Sequence, residues 1–170
     1  IVMNKKGFTL IELLIVVAII GILAAVGAVV IPNVLEKSKV NSTKANFKNA
    51  FNFIQTSITQ CEIGQEVQLS KLVSNTKTLQ PDICPKIKNF SLGNNSYDVI
   101  SAFDYHFKAE DWKNPYNTNW NATSTCTVRN GQISGDLGLI CIWRNNLKEI
   151  IIGAKIDNYG AVMIQAIEIK

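Results

Sequence analysis

The chain has 170 residues, with 17 Lys and Arg against 13 Asp and Glu, a formal net charge of +4. That length suits about one domain, and 47% hydrophobic with 18% charged residues excludes a disordered chain. Four cysteines are too few for a disulfide-dense miniature scaffold, and a mild basic excess without a block of like charge gives no push towards nucleic acid.

The apolar residues crowd one end, which excludes both a uniformly water-soluble protein and a multi-span membrane protein. Met3 is a candidate start, with Ile1 and Val2 as upstream read-through. Lys5 and Lys6 come next, and 20 of the 24 residues from Phe8 to Ile31 are apolar, the exceptions being Thr9, Glu12, Gly21 and Gly27. Leu13 to Ile31 is 19 residues without a polar side chain. As a helix rising about 1.5 Å per residue it would be roughly 28 Å long, close to a bilayer core, and the two lysines favour a cytoplasmic N-terminus. Three readings compete. A cleaved secretory signal fits the basic start and the small residues Val26-Gly27-Ala28, but the apolar core is too long for one. A plain membrane anchor fits the length. Neither explains Glu12, because a carboxylate inside an apolar helix costs a few kcal/mol and marks a function with a missing partner.

The string Lys5-Lys6-Gly7-Phe8-Thr9-Leu10-Ile11-Glu12, with the apolar run through Ala24, resembles the class III signal of type IV pilins and of the related pseudopilins of type II secretion. The resemblance covers about the first 35 residues. It implies a leader of residues 1–7, removed by a membrane prepilin peptidase that cuts between Gly7 and Phe8 on the cytoplasmic side and N-methylates Phe8. It also implies that the new amine of Phe8 lies beside Glu12 of a neighbouring subunit during assembly. The residues themselves make sense of this. Cleavage would leave one cation four residues from one carboxylate, about a helical turn. Between axially offset chains that pair would fix the stagger, and a buried ion pair is a better register device than a source of net stability.

Residues 8–31 are thus expected to be the membrane or filament-core half of a long stalk helix. Within it Gly21-x-x-x-Ala25 and Ala24-x-x-x-Ala28 are spacings that let helices approach closely. Pro32 is expected to kink the helix. The resemblance to pilins implies that the stretch between Gly21 and Pro32 loses helicity in a filament. Residues 32–60 continue as an amphipathic half: Val40, Phe47, Phe51, Ile54 and Ile58 follow one helical face, and Lys39, Asn41, Ser42, Lys44, Asn46, Lys48, Asn49 and Asn52 lie opposite. The whole helix would run from about Leu10 to about Gln60, roughly 75 Å.

Residues 61–96 read as a connecting region with a short helix over Gln68–Ser74, and 97–170 as a globular sheet domain. Tyr97–Lys108 is ambiguous between strand and helix. Thr125–Arg129 leads into Asn130-Gly131, a hairpin signal. Leu137–Arg144, Glu149–Lys155 and Ala161–Ile169 follow as strands, separated by Asn145-Asn146 and by Asp157-Asn158-Tyr159-Gly160, both turn-prone. The expected fold class is α+β: a long N-terminal helix packed on a C-terminal antiparallel sheet, as in pilins.

Cys61, Cys84, Cys126 and Cys141 all follow the apolar run and allow three pairings. Local pairing, Cys61 with Cys84 and Cys126 with Cys141, is the favoured one, and a Cys126–Cys141 loop resembles the C-terminal disulfide-bounded region of many pilins. Asp111-Trp112-Lys113-Asn114-Pro115-Tyr116 resembles a stretch of major pseudopilins, although turn chemistry alone accounts for Asn114-Pro115. No C-x-x-C suggests zinc. Asp98, Asp104, Asp111, Asp136 and Asp157 stand singly, without calcium-loop spacing. His106 is the one histidine, beside Asp104 on the same face of a strand if this segment is extended, and no nucleophile elbow or phosphate-binding loop accompanies it. Lys86, Lys88, Lys108, Lys113, Arg129 and Arg144 with Trp112, Trp120 and Trp143 are the residues a single-stranded DNA patch would use.

The expectation is therefore a non-enzymatic filament subunit, without cofactor or metal, that serves adhesion, motility or DNA uptake. Its partners would be other copies of itself, the prepilin peptidase, an inner-membrane assembly platform, the membrane before assembly, and a DNA or surface ligand. It would start in a bacterial inner membrane with the globular part periplasmic and end in an extracellular filament. The alternatives are a type II secretion pseudopilin and a minor tip pilin that binds DNA or a surface.

Overall fold

A computed structural model describes residues 7–90, 94–126, 128–129, 132–133, 135–145, 148–157 and 160–169, with the backbone alone for Trp120, Val128, Arg129 and Gln132. The order is α1 (Leu10–Glu62), β1 (Ser70–Val73), β2 (Thr76–Leu79), α2 (Cys84–Lys88), α3 (Asn95–Ala109), β3 (Lys113–Asn114), β4 (Asn117–Asn121), β5 (Thr123–Thr125), β6 (Val128–Arg129), β7 (Gln132–Ile133), β8 (Ile140–Asn145), β9 (Glu149–Lys155) and β10 (Val162–Glu168). The chain divides into two compact units, residues 1–38 and 39–170.

The described part of the first unit is led into by Gly7-Phe8-Thr9 and is otherwise helical. Its large apolar side chains from Leu10 to Leu35 are 45–88% exposed. Helical structure runs through Gly21 and Pro32, and the Asn33 side-chain amide donates to the Val29 carbonyl at 3.1 Å.

In the second unit α1 buries Thr43, Phe47, Ala50, Ile54, Ser57, Ile58 and Cys61. Steps of three and four keep these residues on one stripe. Phe47, Ile54 and Ile58 of the expected stripe are buried and widened by small residues, while Val40 and Phe51 are only half-buried. The helix closes on Gly64 in the left-handed conformation, with Gly64 N–H donating to Cys61 O and Gln65 N–H to Gln60 O. This is the Schellman end that satisfies two orphan carbonyls.

The main sheet runs β10-β9-β8-β5. β8, β9 and β10 form an antiparallel meander, but β5 joins parallel to β8, Thr123 opposite Ile140, so the sheet is mixed. Ile140, Ile142, Ile150 and Ile152 meet Phe47 and Ile54 of α1 and Phe103 and Phe107 of α3 in one core. Each such side chain contributes about 1.5–3 kcal/mol by leaving water.

One expectation from sequence is corrected and one ambiguity is resolved. Gln68–Ser74 is not helical: β1 pairs antiparallel with β2, Val73 opposite Thr76. Apolar Leu69, Leu72 and Val73 mimic helical spacing, but Ser74 and Asn75 both adopt positive φ, the two-residue turn that closes a hairpin. Tyr97–Lys108 lies in α3, not in a strand. Phe103 to Lys108 alternates apolar and polar, yet Val99, Ile100, Phe103 and Phe107 are all buried, and that spacing suits only a helix. Asp104 and His106, two residues apart on a helix, therefore lie on different sides of it and not on one face. The strands flanking Asn130-Gly131 pair antiparallel, Arg129 opposite Gln132. That turn, like Asn146 and Asn158-Tyr159, lies outside the described residues.

Candidate processing and assembly site

Gly7 and Phe8 lie in non-helical chain ahead of α1, and Phe8 is 80% exposed. A Cβ built on Gly7 meets nothing within 4 Å. The peptide bond between them is therefore open to a protease. Lys5 and Lys6 of the expected leader lie outside the described residues.

Glu12 is held by the turn it opens. Thr9 N–H donates to its Oε2 at 2.8 Å and Thr9 Oγ1–H to the same oxygen at 2.6 Å. In return Glu12 N–H donates to Thr9 Oγ1 at 3.3 Å. This is a capping box, in which two orphan amides of the first turn find acceptors. Its Thr-x-x-Glu signature stands in the sequence as Thr9-Leu10-Ile11-Glu12. Glu12 Oε1 takes no part in the cap. The carboxylate also sits at the positive end of the helix dipole, where negative charge is favoured.

Farther along the same helix Ala24, Gly27 and Ala28 open a shallow groove bordered by Ile20, Leu23 and Ile31. The small-residue spacing thus produces a concave strip on an apolar rod. An 18-residue window of this helix has mean hydropathy 3.2, long and apolar enough to cross a membrane. The exposed rod needs a cover of lipid or of other helices, since so large a bare apolar face marks an interaction surface.

In the second unit the cysteines pair as Cys61–Cys84 and Cys126–Cys141, with Cα separations of 5.1 and 5.2 Å. The first ties the last turn of α1 to α2 and the second ties the chain after β5 to β8. Asn114 is fully buried, and its Nδ2 donates to Leu137 O at 2.8 Å while its Oδ1 accepts Tyr116 N–H at 2.8 Å. Tyr116 Oη–H reaches Ile156 O at 2.9 Å. The Asn114-Pro115-Tyr116 motif is thus a turn that clamps two loops.

The residues grouped as a DNA patch are mostly engaged. Lys86 is paired with Asp98 at 2.7 Å, Lys108 with Asp104 at 2.5 Å and Lys113 with Asp111 at 2.6 Å. Arg144 donates to Ser96 Oγ at 2.8 Å, and Trp112 packs on Phe107. The side chains of Arg129 and Trp120 lie outside the described residues. Glu110 is held below the usual carboxylate range, chiefly by its hydrogen bond from Lys77. Among the described residues no three His, Cys, Asp or Glu side chains gather as metal ligands.

The family model described as the prokaryotic N-terminal methylation motif matches residues 2–28. The chain is 38% identical over 71 residues to the type IV major fimbrial protein FimA of Dichelobacter nodosus, across 42% of this chain and 46% of that protein. It is 37% identical over 91 residues to the competence protein ComGC of Bacillus subtilis, across 51% of this chain and 87% of that protein. The chain thus spans less than half of the fimbrial relative and most of the competence relative. No solved structure matches it.

Proposed function

The chain belongs to the family of type IV pilins and pseudopilins, and from that premise we propose that it is the structural subunit of a thin extracellular filament. It enters the bacterial inner membrane through the apolar part of α1, with its N-terminus cytoplasmic. The prepilin peptidase cuts between Gly7 and Phe8 and methylates the new amine, and an assembly platform polymerises the product. Adhesion, motility and DNA uptake are the roles such a fibre serves.

One observation carries this reading: a helix whose N-terminal half has bare apolar flanks and one acid, Glu12, which spends only one oxygen on its own cap. Hydrolysis after Gly7 leaves an ammonium on Phe8, directly ahead of the capped turn. A cation at a helix N-terminus is disfavoured by the dipole, so it needs a carboxylate. In the proposed fibre Glu12 Oε1 of an adjoining copy receives it, in surroundings where neither charge is tolerable alone, and the pair sets the axial register. The groove at Ala24, Gly27 and Ala28 admits a neighbouring helix. Gly21 and Pro32 are where the rod gives way if the fibre stretches.

The match to most of a competence protein supports DNA uptake among these roles, and the second reading is a type II secretion pseudopilin, whose stalk bundle would stay envelope-bound. Mass spectrometry of the chain recovered from cells decides the first point. We expect an N-terminal Phe8 one methyl group heavier than the unmodified residue; an intact Lys5-Lys6-Gly7 leader in assembled material would overturn the proposal. Electron microscopy of sheared surface fractions, labelled for this chain, separates long fibres from the envelope-bound form.

A further inference from the structure

The β1–β2 hairpin is fastened to α3 by a side chain whose hydrogen-bonding sense depends on a proton. His106 Nδ1 accepts the Ser70 backbone N–H at 3.1 Å. The ring must then be neutral, with its proton on Nε2. Phe53 of α1 lies flat against it, centroids 4.6 Å and planes 11° apart, and Phe107 borders it at 5.6 Å. Two charged groups act on the ring. Glu110, one turn on at the C-cap of α3, has Oε1 3.9 Å from Nδ1, and Lys77 of β2 is bound to that carboxylate at 2.6 Å. The same Oε1 accepts Ser70 Oγ–H at 3.0 Å. Both donors of buried Ser70 are therefore held at α3, one by His106 and one by the carboxylate beside it, while its carbonyl accepts Gln80 Nε2–H at 3.0 Å, an amide that also reaches Ala102 O of α3 at 3.2 Å.

We propose that His106 is a proton-operated latch: on taking up one proton its Nδ1 changes from acceptor of Ser70 N–H to donor towards Glu110 Oε1, and the β1 end of the hairpin loosens from α3 while the Lys77–Glu110 pair and Gln80 Nε2–H to Ala102 O remain. The step needs only a solvent proton. It leaves Ser70 N–H facing another donor and makes Ser70 Oγ–H compete for Oε1, so both fastenings weaken together. Burial under the aromatic rings pulls the His106 pKa below its ordinary value; Glu110 opposes this and Lys77 adds to it. The neutral ring is thus favoured by the docked state. Docking is complete above the ordinary histidine value of about 6.5 and is lost as pH falls below it. The loosened hairpin carries Leu72, Val73 and Leu79, already about half-exposed or more. The latch stands whether or not the chain forms fibres.

The test uses the full chain in detergent micelles, titrated from pH 7.5 to 5. Imidazole nitrogen shifts report the tautomer and titration of His106, and hydrogen exchange reports protection of the Ser70 amide relative to Ile152 in β9. We expect the proton on Nε2 at pH 7.5. Ser70 protection should fall at least tenfold with the same midpoint as the imidazole, while Ile152 stays constant. His106→Asn, whose amide oxygen replaces Nδ1 without titrating, should keep Ser70 protected throughout. A proton on Nδ1 at pH 7.5, flat Ser70 protection in the wild type, or an acid-dependent loss that persists in His106→Asn would each overturn the latch. If that variant does not fold, the wild-type midpoints decide alone.

Discussion

Thr9 and Glu12 bond reciprocally across the first turn of α1, two donors from Thr9 meeting Glu12 Oε2 and the Glu12 amide returning to Thr9 Oγ1. This gives the one acid of the helix's apolar N-terminal half a local partner before any assembly, so its presence there does not by itself require a second chain. What the cap does not use is the full charge and Oε1. Capping and intersubunit pairing are therefore separable properties of one side chain.

Two substitutions separate them. Glu12→Gln retains an oxygen for the Thr9 donors but removes the charge. We expect it to leave the circular dichroism of the purified chain unchanged and to reduce filament yield, measured by pelleting, by roughly tenfold or more, the equivalent of about 1.4 kcal/mol per contact. Thr9→Ala removes the cap, at a cost of about 1 kcal/mol, and should still permit fibres. Wild-type yield from Glu12→Gln would show that the charge does not set the register.

The parts legible in the sequence were those with long, one-sided periodicity. The stripe from Val40 to Ile58 gave the amphipathic half of α1, and Glu149–Lys155 matched β9 end to end. Segments where two periodicities overlap were not legible. Phe103 to Lys108 alternates like a strand inside a helix, and Leu69, Leu72 and Val73 step like a helix inside a strand. In both, tertiary burial and turn conformation settled what local pattern left open. The parallel pairing of β5 with β8 could not be foreseen, since register across distant segments leaves no local mark. Thr-x-x-Glu marks the start of α1, but it does so inside an apolar run, where the carboxylate's charge is the stronger signal.

Asn114 is expected to be the most sensitive polar residue of the second unit. Asn114→Ala would remove the donor to the Leu137 carbonyl and the acceptor of the Tyr116 amide in a part-buried place, costing about 1–3 kcal/mol. Tyr116→Phe removes one bond, to Ile156 O, and should cost about 1 kcal/mol. Gly138 supports the same clamp: it has φ +77°, and a Cβ there would stand 2.3 Å from Asn114 Oδ1, so Gly138→Ala should rank with Asn114→Ala. Urea midpoints of the three variants check the order.

The two helix ends predict substitutions of opposite sign. Gly64 and Asp111 occupy equivalent left-handed positions after α1 and α3. At α3, Asp111 N–H reaches Lys108 O, Trp112 N–H reaches Phe107 O, and the Trp112 and Phe107 rings meet at 4.6 Å, the full Schellman pattern. Gly64→Ala should therefore destabilise by about 1 kcal/mol and Asp111→Gly should stabilise by up to about 1 kcal/mol. The exposed Asp111–Lys113 pair lost in the second change is worth little. A stabilising Gly64→Ala in thermal unfolding would contradict this account.

The two disulfides should differ in how they are reduced more than in what they contribute. They close loops of 23 and 15 residues, and loop-closure entropy assigns each about 3 kcal/mol. Reduction, however, needs a thiolate to reach a sulfur. Cys61 and Cys84 are 1% and 4% exposed, and Cys141 is fully buried, whereas Cys126 is only half-buried. A reductant should therefore open Cys126–Cys141 first, by attack at Cys126, while the bridge at the end of α1 waits on local unfolding. Timed alkylation followed by peptide mass spectrometry should find Cys126 and Cys141 modified well before Cys61 and Cys84. Simultaneous modification of all four would mean that the first bridge opens only by global unfolding.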